Sequence, residues 1–261
     1  MSRPSGSQHP SGYELARTDE GVVVRVPRGD LAIRYIMGVG LNYRLHAEEQ
    51  DAKLPERPVV FTKNPMSVIL SGETIEIPPI CRDVQTGGPE QVDFEAELAV
   101  VLDRPARDVP REHALDHVLG YCCANDVSAR WWQKQGSGKQ FCRGKSFDTF
   151  CPLGPVVVAA DRVPDPQALG ISCIVNGETM QSASTADMIF PVDQLISELS
   201  RGTTLPAGTV ILTGTPSGVG MARNPQRFLR EGDAVTIAVE GLGELTNPVR
   251  DAAEPAAELL D

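Results

Sequence analysis

From Val92 to Leu98 apolar and acidic residues alternate without interruption: Val92, Phe94, Ala96 and Leu98 on one parity, Asp93, Glu95 and Glu97 on the other. Successive side chains leave a strand on opposite sides, so period two reads as a β-strand with one buried face. Three carboxylates along the other face repel one another unless something cationic sits over them. Further on, Ala124 to Arg130 contains Asp126, a third candidate ligand, and Arg143 to Asp148 contains Lys145. Several carboxylate oxygens with no paired Cys or His describe a hard-cation site, for Mg²⁺ or a close relative. The same spacing also suits a solvated strand face.

The rest of the composition narrows the class. A chain of 261 residues makes one large domain with a small appendage, or two modest ones. Its net charge of −11 argues against nucleic acid as a partner and favours a protein that concentrates positive charge locally for its substrate. Six cysteines (81, 122, 123, 142, 151 and 173) form no CxxC pair, and no apolar secretory segment precedes them. They read as small core residues of a protein in a reducing compartment, the cytoplasm. No apolar run is long enough to span a membrane. Met1 to Gly12 reads as a frayed tail, without the Arg-rich pattern of a transit peptide.

In chain order, Gly21–Val26 and Ile33–Met37 are short strands of a small N-terminal element. Arg44–Lys53 is a polar helical segment that places His46 and Glu49 one turn apart, either as a base with its orienting partner or as an exposed polar face. Val59–Lys63 and Glu73–Ile77 are strands, and the loop Cys81–Glu90 with its Gly87-Gly88-Pro89 leads to the acidic strand. Pro110–Val118 is a helix whose His113 and His117 lack the intervening Glu of a zinc protease, and they read as solvated. Gly120–Val127 is a strand, after which Ser128 caps a helix that holds Arg130 and Gln133 one turn apart. Trp131 and Trp132 read as packing or a pocket wall. Asn176-Gly177 marks a tight hairpin, and Pro191–Arg201, followed by Gly202, is the clearest helix. Val210–Leu212 runs into Thr213-Gly214-Thr215-Pro216-Ser217-Gly218-Val219-Gly220. That turn lacks the Lys-Ser/Thr of a nucleotide phosphate loop but has N–H groups able to hold a carboxylate. A closing hairpin surrounds Gly241-Leu242-Gly243.

Taken together, these motifs resemble the fumarylacetoacetate hydrolase family. The matching stretches are Gly40-Leu41-Asn42-Tyr43 with His46-Ala47-Glu48-Glu49, Asp93-Phe94-Glu95-Ala96-Glu97-Leu98, Asn125-Asp126-Val127-Ser128-Ala129-Arg130 with Gln133, Gly144-Lys145-Ser146-Phe147-Asp148, and Thr213 to Gly220. They keep the family's order from about Gly38 onward. The resemblance implies an α+β, strand-rich fold, a mixed β-roll with short flanking helices. It divides the chain into a tail and small strand element over 1–37 and a catalytic domain over 38–261, usually dimeric. It implies a divalent ion, commonly Mg²⁺ with Mn²⁺ or Ca²⁺ as alternatives, on Glu95, Glu97 and Asp126. It makes Arg130, Gln133 and Thr215 substrate contacts, Lys145 a catalytic cation, and His46 with Glu49 the base pair of the hydrolytic members, on a lid that orders over substrate. Two departures stand out: Trp131 occupies a position that is typically acidic, and the N-terminal part is short.

The implied chemistry passes through an enolate of a 2-oxo or 2,4-dioxo acid, stabilised by a divalent ion. Lys145 and Arg130 add positive charge where the enolate oxygen develops. With activated water the outcome is C–C hydrolysis, as with acylpyruvates or fumarylacetoacetate. Without it, the outcome is oxaloacetate tautomerisation or dienoate isomerisation, and with a leaving carboxylate it is decarboxylation. The presence of both His46 and Glu49 favours hydrolysis of a small keto acid. An inert metal-binding protein would have lost a ligand or the lysine, and neither is lost.

Overall fold

The computed structural model describes residues 12–82 and 89–254, so most of the N-terminal tail and Gly87-Gly88 lie outside the described residues. Three short strands, β1 (Leu15–Thr18), β2 (Gly21–Val26) and β3 (Gly29–Ala32), form a small antiparallel sheet. The segment expected as a strand over 33–37 instead breaks at Ile33-Arg34, and β4 (Tyr35–Gly40) carries the chain into the main sheet. Helix α1 (Arg44–Glu49) follows, then β5 (Val59–Lys63), β6 (Val68–Leu70) and β7 (Ile75–Ile77). The acidic stretch is divided between β8 (Val92–Asp93) and β9 (Ala96–Leu102), and β10 (Val118–Asn125) and β11 (Ser128–Ala129) follow. A π-helical turn at Trp132–Gly136 and the short α2 (Phe141–Lys145) lead to β12 (Cys151–Ala159), β13 (Gly170–Val175) and β14 (Glu178–Ser184). Last come α3 (Val192–Ser200), β15 (Thr209–Leu212), β16 (Ala234–Val239) and β17 (Gly243–Asp251).

A seven-stranded mixed sheet, in the order β5-β4-β15-β9-β10-β12-β6, faces a five-stranded sheet, β14-β13-β16-β17-β7. This is a strand-rich α+β roll, and β9 is its middle strand. The side chains of β9 divide between two cores: Leu98, Val100 and Leu102 join the large cluster shared with the five-stranded sheet, while Ala99 and Val101 join a second cluster. That second cluster is completed by Leu15, Val22 and Val24, so the small N-terminal sheet seals the far side of β9. A strand covered on both faces no longer has a solvent side, and all of Val92–Leu102 is buried.

Local chemistry explains the other elements. Asn176 and Gly177 both have positive φ, as a tight two-residue hairpin turn requires, and they join β13 to β14. Val192, Leu195, Ile196 and Leu199 form the buried stripe of α3, which ends at Gly202 in the left-handed region. Arg111–His117 is a 3₁₀ segment with His113 exposed. All six cysteines are free and all but Cys142 are buried; burial pushes the thiols of Cys81 and Cys151 up to about 12, which keeps them inert. No helix among the described residues is long and apolar enough to cross a membrane.

One close packing contact sets the position of α2. A Cβ added at Gly144 would lie 2.5 Å from the backbone nitrogen of Gln133 and 2.9 Å from the carbonyl of Ala129. Only glycine lets α2 pack directly on the turn that holds Arg130 and Gln133. Gly144→Ala is therefore expected to cost about 1–3 kcal/mol by overpacking, measured by denaturant unfolding. An unchanged midpoint would show that α2 is free to shift.

Candidate active site

The strand breaks at Phe94-Glu95, and the break turns its acidic residues onto different partners. Asp93 is fully buried and accepts from the backbone N–H groups of Gly220 (2.7 Å) and Met221 (2.9 Å) and from Arg130 Nε (2.9 Å). Glu95 accepts from Arg130 Nη1 at 2.6 Å and from Lys145 Nζ at 2.9 Å. Glu97 accepts from the Gly214 N–H at 2.7 Å and has no ion pair among the described residues. Asp126 lies at the end of β10, which pairs with β9 so that Asn125 faces Ala96. Its carboxylate is held between Lys145 Nζ, at 2.6 Å, and Lys63 Nζ. Glu95, Glu97 and Asp126 each present an oxygen within 4.8 Å of the other two, and all three are buried. Asp93 stands apart from this group.

Charge accounts for the behaviour of the cluster. Four buried carboxylates face three permanent cations, Lys63, Arg130 and Lys145, which leaves one carboxylate over. Burial pushes the Glu97 carboxyl up, and the neighbouring charges of Asp126 and Glu95 push it further. Burial would also raise Glu95, but Lys145 and Arg130 outweigh it and hold that carboxyl well below the usual range. Burial opposes the charge on Lys145 and on Arg130, yet their carboxylate partners raise both. An all-oxygen, over-charged triad of this kind could hold a hard divalent cation.

Lys145 spends all three of its N–H bonds inside the protein: on Glu95, on Asp126 and on the hydroxyl of Ser128 at 2.6 Å. Ser128 was expected to cap a helix. It instead sits on β11 opposite Asp93, donates to the Asp126 carbonyl and accepts from Lys145. The Nη2 of Arg130 is buried and has no hydrogen-bond partner among the described residues. Gln133 Oε1 accepts from Arg130 Nη1 at 3.1 Å, which fixes the guanidinium plane. Thr215 Oγ1 accepts from Gln181 Nε2 at 2.8 Å.

Of these groups Glu95, Arg130, Gln133, Lys145 and Thr215 border one cleft of about 90 Å³, which His46 and Gln50 also line. The helix that carries His46 is not an exposed polar face. His46 is 4% exposed, Tyr43 and Ala47 are fully buried, and Nδ1 of His46 lies 3.0 Å from Glu49 Oε2. Glu49 Oε1 accepts from the Gly218 N–H, the Leu45 N–H donates to Asp187, and Asn42 bonds to both Phe190 and the Thr213 carbonyl. The glycine-rich turn does bind carboxylates, as its N–H groups allow, but they belong to the chain itself: Glu97 on Gly214 and Glu49 on Gly218, with Asp93 on Gly220 at its end.

Sequence reasoning missed two of the buried polar residues around this cleft. Lys63 ends an ordinary strand pattern, and only its parity on β5 could have turned it inward. Gln181 follows the hairpin and ties Ala96, Thr215 and Pro216 together; nothing local marks it.

The excess charge has a measurable consequence. A raised Glu97 means that the folded chain keeps a proton which the unfolded chain releases, so stability falls as pH rises above the ordinary glutamate value of about 4.3 towards the folded one. The melting temperature of EDTA-treated protein is expected to decline over this window. Glu97→Gln should flatten the decline, and Mg²⁺ or Mn²⁺ should offset it most at the alkaline end. A flat profile in the metal-free wild type would refute the charge count. Hydrogen exchange over 44–56 should also slow when Mg²⁺ and oxalate are added, the outcome expected if this segment, tied to the rest of the chain through Asn42, Leu45 and Glu49, closes over the cleft. Equal exchange in both states would exclude closure.

The likeness to known proteins agrees with this geometry. The sequence profile of the fumarylacetoacetate (FAA) hydrolase C-terminal family matches residues 35–250. The chain is 44% identical over 214 residues to a mitochondrial oxaloacetate tautomerase of Xenopus laevis, a match covering 82% of this chain but only 65% of that relative. It is 44% identical over 216 residues to an oxaloacetate tautomerase of Bacillus subtilis, covering 82% of this chain and 69% of the other. Among solved structures, a fumarylpyruvate hydrolase from Pseudomonas aeruginosa in complex with Mn²⁺ and pyruvate superposes with a TM-score of 0.75 at 28% identity, covering 96% of this chain and all of that one. With its roll, its acidic triad and the ordered motifs from Gly40 to Gly220, the chain belongs to the fumarylacetoacetate hydrolase family.

Proposed function

We propose that the protein is a divalent-metal-dependent keto–enol tautomerase of oxaloacetate or a closely related short 2-oxo acid, with Mg²⁺ the expected ion. The observation that carries this reading is the pairing of an unpartnered, buried guanidinium nitrogen on Arg130 with the ammonium of Lys145, beside the Glu95–Glu97–Asp126 triad. A buried donor without a partner is rare, and a substrate carboxylate supplies what Arg130 Nη2 lacks. The names of the two relatives reported above support tautomerisation over the hydrolysis that the His46–Glu49 pair favours.

In this reading Glu95, Glu97 and Asp126 hold the ion, which when bound makes the 2-oxo group a better electron sink. Arg130, oriented by Asp93 and Gln133, takes the substrate carboxylate. Lys145 stabilises charge at the 2-oxo oxygen as the C3 proton departs and can deliver a proton there, completing the enol. To do so it gives up one of its carboxylate partners. The C3 proton is relayed through water in the cleft back to Lys145, so the protein ends the turnover in the protonation state in which it began. Hydrolysis of a 2,4-dioxo acid remains the second reading, favoured by the 3.0 Å bond between His46 and Glu49. Its added requirement is a base for water.

The test follows interconversion of the oxaloacetate keto and enol forms by ultraviolet absorbance, with Mg²⁺ and with EDTA. Wild type should accelerate the exchange only with the ion. Lys145→Met should lose at least about 10²-fold, since the charge beside the developing oxyanion is gone. Removing one member of a buried ion pair also costs about 3–5 kcal/mol, so melting curves accompany the assay. Folded Lys145→Met with wild-type turnover would defeat the proposal.

A further inference from the structure

We infer that Gln50 selects the outcome of this site, by occupying the one nitrogen of His46 able to activate water. The inference rests on the proposed function. Glu49 can only accept, so the 3.0 Å contact with His46 places the ring proton on Nδ1. The lone pair of the neutral ring is then on Nε2, and the side-chain nitrogen of Gln50 lies 2.7 Å from it. The basic nitrogen is therefore capped by an amide N–H. His46 and Gln50 stand four residues apart on one face of the same helical turn, and both line the cleft. Movement of the lid as a body carries this bond along intact, so closure over substrate does not by itself expose the base. The carboxamide has to rotate away first.

The two reactions differ in their need for that nitrogen. In hydrolysis a water oxygen bonds to the C4 carbonyl carbon and its proton passes to Nε2. The C3–C4 bond then breaks, leaving its electron pair in the enolate at C2, and protonation at C3 releases the 2-oxo acid. Tautomerisation forms no bond to water: one proton leaves C3 and one arrives at the 2-oxo oxygen, where Lys145 acts. A capped His46 thus penalises hydrolysis selectively. The presence of His46 and Glu49 in the sequence is then insufficient to make a hydrolase, and residue 50 is the specificity-determining position.

The experiment compares wild type with Gln50→Leu, which keeps the size but removes the amide, and with Gln50→Met in case leucine perturbs the turn. Oxaloacetate tautomerisation and acetylpyruvate hydrolysis are assayed on the same Mg²⁺-loaded samples. The ratio of hydrolysis to tautomerisation should rise at least about 10-fold in either variant, within the range of a general base, and the gain should vanish in the His46→Ala/Gln50→Leu double variant. Long-range ¹H–¹⁵N spectra of metal-free wild type should show His46 as the Nδ1–H tautomer. An unchanged or lowered ratio, a gain that survives loss of His46, or an Nε2–H tautomer would each overturn the role of Gln50. Wild type inactive on oxaloacetate would defeat the tautomerase reading, while the absolute hydrolysis rates of the variants would still decide the part played by Gln50.

Discussion

Lys145 makes three hydrogen bonds to Glu95, Asp126 and Ser128, and the rest of the site depends on them. They join the end of α2 to β10, to β11 and to the break between β8 and β9, so one ammonium group sets the separation of the candidate ligands. An ammonium in a dry interior is stable only with such partners. The carboxylates in turn are tolerable there only because Lys63, Arg130 and Lys145 face them. Neither set can be buried alone. The scaffold supports the arrangement with a strand covered on both sides, so that β9 does not move to relieve the repulsion.

The buried cluster has one cation too few for its carboxylates. Glu97 is held by a backbone N–H and by no cation within ion-pair distance among the described residues, and Arg130 keeps a nitrogen in reserve. In the proposed function the first suits a metal and the second an organic anion, and Glu95 is close to both, with an oxygen within 4.8 Å of Glu97 and a hydrogen bond from Arg130. In the proposed function, taking up a dication and an anionic acid together would alter the net charge little.

Much of this was legible in the sequence, and the failures have particular causes. Glu95, Glu97 and Asp126 were recognised by parity and motif order, and they converge. Alternation alone left the environment open, because it cannot distinguish a face turned to water from one turned to buried lysines and arginine. The capping rule looks only to neighbouring residues, whereas Ser128 accepts from a lysine 17 residues further on, in α2 beyond the π-helical turn. His46 looked exposed because its neighbours Glu48, Glu49 and Gln50 are polar, yet Tyr43 and Ala47 draw that side of the turn inward. The strand expected over 33–37 failed at Arg34, where the chain passes from the small sheet to the large one. Local pattern reports which side chains share a face; it does not report what that face meets.

The turn from Thr213 to Gly220 has an implication for how such a site can be altered. Through Gly214, Gly218 and Gly220 it holds one carboxylate from the central strand, one from α1 and one from the arginine's support. It therefore acts as a common datum, as a machinist would use the word: three parts are located from one surface, so that a small shift of that surface carries all of them together and their mutual spacing survives. Drift in the loop is harmless, whereas an insertion or deletion within it would misalign every part at once. Room for change lies elsewhere along the rim, at Lys134, whose side chain lines the cleft and makes no hydrogen bond or ion pair among the described residues.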